Sequence, residues 1–257
     1  MRNLILKIRP AILQVLLINI IYGNSLKRRK FYFLKEYNLY LFLDAFSYFG
    51  NLILKEQIYE QDTTDLILQN LKKDSIFFDI GANEGFFSLI ASKVNYNGKT
   101  YAFEPQTQLL PIIERNLIKN NCMNCKIINI GIGEKNYTTK INLFPQTNTG
   151  ASSIIKKYRF FNKTQLIKIQ SLDEFVFNNK IHNQIDLIKI DIEGYEVKAI
   201  EGMKNLLINK RINTILMDYH MTVITHQDRE KCDKFILSCG YKKINTETYT
   251  CYKLIIE

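Results

Sequence analysis

The 257 residues fit one ordinary domain with a short extension, and a composition that is 46% hydrophobic and 23% charged excludes a disordered chain. The net charge of +10 is scattered, with Lys27-Arg28-Arg29-Lys30 as its tight cluster, so it reads as a solvated basic surface and not as an aromatic-interleaved nucleic-acid stripe. The cysteines, Cys122, Cys125, Cys232, Cys239 and Cys251, are odd in number and include a CxxC without a second pair or a zinc-spaced His, which excludes a disulfide framework and favours reduced thiols in a cytosolic protein.

Residues up to about 50 read as helical and apolar, and residues 1–54 are expected to form an N-terminal helical extension to a domain spanning 55–257. Ala11 to Tyr22 is nearly all apolar, with Arg2, Lys7 and Arg9 before it and the basic cluster after it. The run is shorter than the roughly 20 residues of a spanning helix. Three readings stay open: a helix packed on the domain or a partner, an interfacial membrane anchor with basic flanks, and a signal or spanning segment. The expected location is cytoplasmic, with peripheral contact at the inner membrane face as the second reading.

From about residue 55, strands and helices alternate, which predicts a mostly parallel sheet covered on both faces. A helix over Asp65–Lys73 leads into a strand at Ser75–Ile80. A glycine turn, Gly81–Gly85, opens a helix over Phe86–Val94. A second strand (Thr100–Phe103), a second helix (Gln108–Asn120) and a third strand (Lys126–Ile130) follow. Residues 134–180 interrupt the alternation with a hairpin, a polar loop (Gln146–Ser153) and a short helix near Leu172–Phe177. The pattern resumes with a strand at Ile185–Ile190, a helix over Glu196–Ile208, a strand at Asn213–Met217 and a helix over Asp228–Ser238. Tyr241–Ile244 and Tyr249–Ile256 close as an antiparallel pair.

Three motifs carry chemistry. In Phe78-Asp79-Ile80-Gly81-Ala82-Asn83-Glu84-Gly85-Phe86, a buried strand meets a glycine turn that opens a helix and lets backbone approach a ligand. Asn83 and Phe86 stand where a dinucleotide-binding turn needs its second and third glycines, so the turn suits a ligand without a pyrophosphate. In Tyr101-Ala102-Phe103-Glu104-Pro105, Glu104 ends the second strand, where an acid accepts both hydroxyls of an adenosine ribose. In Asp186-Leu187-Ile188-Lys189-Ile190-Asp191-Ile192-Glu193-Gly194-Tyr195-Glu196, strand alternation sets Lys189, Asp191 and Glu193 on one side, at the carboxyl end of a central strand.

With FDIGANEGFFSL, YAFEP, SLDEF and IDLIKIDIEGYEVKAIEGM on the page, the chain resembles the FkbM family of class I S-adenosylmethionine-dependent methyltransferases from about Glu56 onward. The resemblance implies a Rossmann-like α/β fold: a mostly parallel seven-stranded sheet, helices on both faces and an antiparallel C-terminal strand. It implies that Asp79, Gly81, Asn83 and Gly85 line the methionine part of S-adenosylmethionine. Glu104 would bind the ribose, Asn129 would close the strand where adenine sits, and Asp191 would face the sulfonium. The family often carries an acid and a His after its fifth strand; here Met217-Asp218-Tyr219-His220 has Asp for the more usual Glu. His220, Asp191 and Asp218 are the expected catalytic residues, with His220 the first candidate base and Asp191 the second.

The expected activity is O-methylation of a hydroxyl on a glycan or related hydroxylated metabolite, the sugar preference coming from the resemblance. The expected partner is that small-molecule or glycan acceptor, with no nucleic acid and with membrane contact through the N-terminus as a second reading. A divalent metal held by Asp191, Glu193, Asp218 and His220 is the minor alternative to hydrogen bonding alone. Phe144–Phe161 is expected to cover the cofactor crevice. Two other classes stand beside this reading: a nicotinamide-dependent oxidoreductase on a similar sheet, and a non-catalytic membrane-associated binding protein in glycan assembly.

Overall fold

The structure is a computed structural model, and it describes residues 11–159, 163–246 and 249–255. Arg2, Lys7, Arg9, the far end of the expected lid at Phe160 and Phe161, and Ile256 of the expected last strand lie outside the described residues.

The chain opens with α1 (Ala11–Tyr22), a one-turn helix α2 (Ser25–Arg28), β1 (Lys30–Leu34), β2 (Leu39–Leu43), α3 (Tyr48–Glu56) and α4 (Gln61–Asn70). The α/β alternation then runs β3 (Ile76–Ile80), α5 (Phe86–Val94), β4 (Lys99–Phe103), α6 (Leu110–Lys119) and β5 (Cys125–Ile128). A small side sheet holds β6 (Gly131–Ile132), β7 (Tyr137–Asn142) and β8 (Thr164–Gln170). The second half is α7 (Leu172–Asn178), β9 (Ile185–Ile190), α8 (Glu196–Glu201), α9 (Lys204–Ile208), β10 (Ile212–Met217), α10 (His226–Ser238), β11 (Tyr241–Asn245) and β12 (Thr250–Leu254).

The main sheet has seven strands in the order β11-β12-β10-β9-β3-β4-β5, and β12 runs antiparallel to both neighbours while β10, β9, β3, β4 and β5 pair parallel. This is the expected fold. The strands are buried on both faces, so successive residues feed two different cores. Phe78, Ile188 and Ile215 pack under α7 to α10, whereas Phe77, Leu187 and Leu216 pack under the N-terminal half. The order reverses between β3 and β9, and at such a switch point the two crossovers diverge and leave a crevice at the carboxyl ends of the strands.

The N-terminal region corrects the expectation of a helical extension through residue 54. Residues 30–43 form an antiparallel hairpin, β1 with β2. Phe31, Phe33 and Tyr40 face solvent while Leu34, Leu39, Leu41, Phe42 and Leu43 are buried, and Asn38 turns the chain at φ 47. The free edge of β2 is met by α6: Asn116 accepts the Phe42 N–H at 2.7 Å and Asn120 accepts the Tyr40 N–H at 2.8 Å. Leu34, Leu39, Leu41 and Leu43 belong to the same core as β3 and α5, so the hairpin is packed on the domain.

Two helices also differ from their sequence reading. α4 starts four residues early, at Gln61 in place of Asp65. The single helix expected over Glu196–Ile208 divides into α8 and α9 at Gly202, where a Cβ would stand 1.9 Å from the Gly133 carbonyl oxygen. The chain has to close on Gly133 there, and only glycine allows that approach.

Candidate active site

The glycine corner follows β3 directly. Gly81, at φ +83, lies so close to β9 that a Cβ would be 2.0 Å from the Asp191 carbonyl oxygen. The ends of the two central strands therefore touch at Gly81, which brings the first motif against the third. Asp79, fully buried on β3 two residues earlier, accepts from the Ser88 hydroxyl at 2.6 Å and faces the Lys189 ammonium at 3.4 Å. Gly85, also at positive φ, begins α5 against Ile113.

Glu104 leaves the end of β4 and turns back over the corner. One carboxylate oxygen accepts the Asn83 N–H at 2.8 Å and the other the Gln106 N–H at 2.9 Å. Burial dominates and pushes its pKa up to about 7, against the pull of those two hydrogen bonds. Asn129 donates to the Glu104 and Pro105 carbonyls at 2.9 and 3.1 Å and so braces this strand end.

The acidic motif forms the opposite wall. Glu193 and Gly194 both take positive φ, 54° and 102°, and the tight turn folds Glu196 back beneath it. Glu196 is fully buried; one of its oxygens accepts the Ile192 and Gly194 N–H groups and meets His220 Nδ1 at 2.8 Å. The other ring nitrogen of His220 lies 3.5 Å from Glu193 and 3.8 Å from Asp191. Burial alone would lower the His220 pKa, but the hydrogen bonds to Glu193 and Glu196 and the Asp191 charge outweigh it and raise it to about 11. The ring is an imidazolium at neutral pH. Asp218 has the opposite problem: burial, then the neighbouring Asp191 charge, push its pKa up to about 6. Lys189, fully buried on β9, sits between Asp79 and Asp191 at 3.4 and 3.5 Å.

These walls enclose a cavity of about 280 Å³. Gly81, Asn83, Glu104, Asp191, Glu193, Asp218 and His220 all line it. Asp79, Gly85 and Asn129 stand behind its wall and hold the lining residues in place. The expected adenine end is represented in the lining by Ile130, Gly131 and Ile132, the neighbours of Asn129. The polar loop covers the cavity: Thr149 donates to the Asn83 side chain at 3.0 Å, and Gln106 donates to the Thr149 carbonyl at 3.3 Å. Ser153 donates to the Glu193 carbonyl, and Lys156 pairs with the Glu193 carboxylate at 2.5 Å. Of the four residues read as a metal set, Asp191, Asp218 and His220 bring ligand atoms within 4.8 Å of one another, while Glu193 is engaged by Lys156.

Sequence reasoning missed the N-terminal wall, made by Tyr48, Tyr59 and Glu60. Glu60 caps α4 in the left-handed region at φ 41, and its Oε2 is buried without a hydrogen-bond partner. Burial and then the Asp191 charge raise its pKa. The available signal was an acid heading the helix that feeds the first central strand.

The chain is 23% identical over 189 residues to the hexuronic acid methyltransferase AglP of Haloferax volcanii, covering 73% of this chain and 74% of that protein. It is 25% identical over 191 residues to the methyltransferase sdnD of Sordaria araneosa, covering 62% and 73%. A solved SAM-dependent O-methyltransferase from Thermotoga maritima superposes with a TM-score of 0.45 at 11% identity, covering 85% of this chain and 74% of the other. The Methyltransferase FkbM domain matches residues 79–243, from the glycine corner through the acidic motif to β11, and the chain belongs to that methyltransferase family.

Proposed function

We propose that the protein transfers the methyl group of S-adenosylmethionine to a hydroxyl of a glycan or a related hydroxylated metabolite. The observation that carries this reading is the meeting of Gly81, Glu104 and Asp191 around one cavity. The donor set fits the cofactor. Each Glu104 oxygen has one backbone N–H and keeps acceptor capacity, which suits the two O–H donors of a ribose. Glu60 offers a buried carboxylate oxygen without a partner, and carboxylates outnumber cations along the wall, which suits an ammonium and a sulfonium. When bound, S-adenosylmethionine supplies a methyl carbon activated by the positive sulfur.

The chain's own task is then to orient the acceptor oxygen, exclude water and take up its proton. His220 keeps its proton at neutral pH, and it therefore holds Asp191 and Glu193 by charge. Glu104 is committed to the ribose; Asp218, its pKa pushed up to about 6 beside Asp191 and His220, is the base left at the transfer end of the cavity, and we assign it the proton of the acceptor hydroxyl. The name of the Haloferax relative supports a sugar acceptor. The test is incubation with methyl-deuterated S-adenosylmethionine and uronic-acid-containing oligosaccharides, followed by mass spectrometry. Labelled ether methyl on the sugar is the expected product; label on nitrogen or carbon, or none on any hydroxylated acceptor, would refute the reading.

A second reading rests on the convergence of Asp191, Asp218 and His220. Two carboxylates and the imidazole that His220 becomes when an ion displaces its Nε2 proton, with Nδ1 held by Glu196, form a donor set for a divalent ion, which would polarise the acceptor hydroxyl. In that case chelation abolishes transfer and added Mg²⁺ or Mn²⁺ restores it.

A further inference from the structure

We propose that the outward face of α1 docks on an anionic lipid bilayer and holds the covered side of the cavity beside the lipid surface. Leu13, Leu16, Ile20 and Ile21 are 45–78% exposed, while Ile18, beyond the edge of that arc, is fully buried. At 100° per residue the four exposed side chains fall on one face. Among the described residues nothing covers this face, and its aliphatic side chains are costly to leave in water.

The helix is a fixed platform. Arg28 donates to the Asn19 side chain at 3.0 Å and to the Gly23 carbonyl, and it pairs with Asp44 at 2.7 Å. The platform also reaches the cavity cover. The Ser25 N–H donates to the Gln146 side chain at 3.2 Å, and the Tyr48 N–H to the Thr147 carbonyl at 2.5 Å, just ahead of the cavity-lining Asn148, Thr149 and Gly150.

Charge selects the occupant. The first acid in the chain is Glu36; before it come Arg2, Lys7, Arg9 and the cluster Lys27 to Lys30. Lys27 and Lys30 are exposed at the end of the platform. Arg28 and Arg29 are held inside by Asp44 and Glu84, and the apolar helix face followed by the exposed Lys27 and Lys30 matches the boundary between acyl chains and anionic headgroups. A helix of 12 residues rises about 18 Å, short of the ~30 Å hydrocarbon core, so it lies on the bilayer. Among the described residues, no helix is long and apolar enough to cross a membrane.

Flotation of the full chain tests this without any methyl acceptor, so its outcome is independent of the methyl-transfer reading. The chain should float with vesicles of phosphatidylcholine containing about a third phosphatidylglycerol and should stay behind with phosphatidylcholine alone. Leu16→Glu/Ile20→Glu and, separately, Lys27→Glu/Lys30→Glu should each weaken partition by about tenfold or more. Both pairs are exposed, so circular dichroism should match the parent chain. A parent chain that does not float, or a Leu16→Glu/Ile20→Glu variant that floats equally well, overturns the proposal. Sedimentation as a dimer that the same variant converts to monomer, without flotation, also overturns it by making this face a contact between two copies.

Discussion

Glu104 links cofactor affinity to pH. In the free protein its pKa stands at about 7, raised by burial, and accepting two ribose hydroxyls requires the ionised form. Binding therefore releases a proton whenever the pH is below that value. The affinity for S-adenosylhomocysteine should be flat above about pH 7 and fall by about tenfold per unit below it. Glu104→Ala removes two charge-assisted hydrogen bonds and should cost at least about tenfold in affinity while flattening this dependence. Titration calorimetry across pH 5 to 8 reads both effects, and unchanged binding by the variant removes the ribose assignment. Asp218 governs turnover in the same way. Its pKa of about 6 predicts an acid limb near that pH in kcat/KM for the acceptor, read at saturating S-adenosylmethionine so that Glu104 does not contribute, whereas His220, at about 11, contributes none between pH 5 and 8. Asp218→Asn should lower kcat by about 10²–10⁴-fold and leave S-adenosylhomocysteine affinity near its parent value. A limb that survives the substitution assigns the proton to another group. The positions of Asp191, Asp218 and His220 were legible from strand-end placement, but their protonation was not. It depends on Glu196 reaching back under His220, a contact that exists only once the turn at Glu193 and Gly194 has formed.

The β1–β2 hairpin shows where local pattern falls short. Lys30–Leu34 and Leu39–Leu43 are rich in Phe, Tyr and Leu, and the turn between them, Lys35-Glu36-Tyr37-Asn38, contains neither Gly nor Pro, so the stretch lacks the punctuation that marks a hairpin. Its strand character is fixed from far along the chain, by Asn116 and Asn120 at the β2 edge. The alternation from β3 to α6, by contrast, was readable because each buried strand ends at a Gly or Pro signal. A buried ion pair joins the two regions. Arg29 donates to both oxygens of Glu84, at 2.6 and 2.7 Å, and to the Phe42 carbonyl; the two side chains are 1% and 2% exposed. Glu84 belongs to the glycine corner, so the pair fastens the hairpin to the cofactor turn. Glu84→Ala strands a guanidinium in the core and should cost about 3–5 kcal/mol in chemical denaturation. Replacing both partners, Arg29→Met with Glu84→Leu, should recover most of that loss, because no charge is then left buried. A single variant as stable as the parent chain would show that the hairpin is not held through this pair.

The cavity draws on the whole length of the fold. Its lining runs from Ser47 and Tyr48, through the corner after β3, the end of β4, the loop at Asn148 to Ser152 and the end of β9, to His220 after β10. The reversal of strand order between β3 and β9 makes the crevice, and three sequence motifs marked its floor because each sits at a strand end. The N-terminal wall carried no such mark: Tyr48, Tyr59 and Glu60 reach the cavity only after α3 and α4 have packed against α5. A ligand held by all these segments stabilises the native chain without binding the unfolded one. S-Adenosylhomocysteine at 100 times its Kd should add about 2.7 kcal/mol, which corresponds to a rise of roughly 5–10 °C in Tm for a chain of this size. NAD should give no shift, because Asn83 and Phe86 replace the glycines that a pyrophosphate needs. Thermal melts with each ligand separate the two chemistries in one measurement: a shift with NAD and none with S-adenosylhomocysteine would turn this crevice into a dinucleotide site and remove the assignments of Glu104 and Glu60 together.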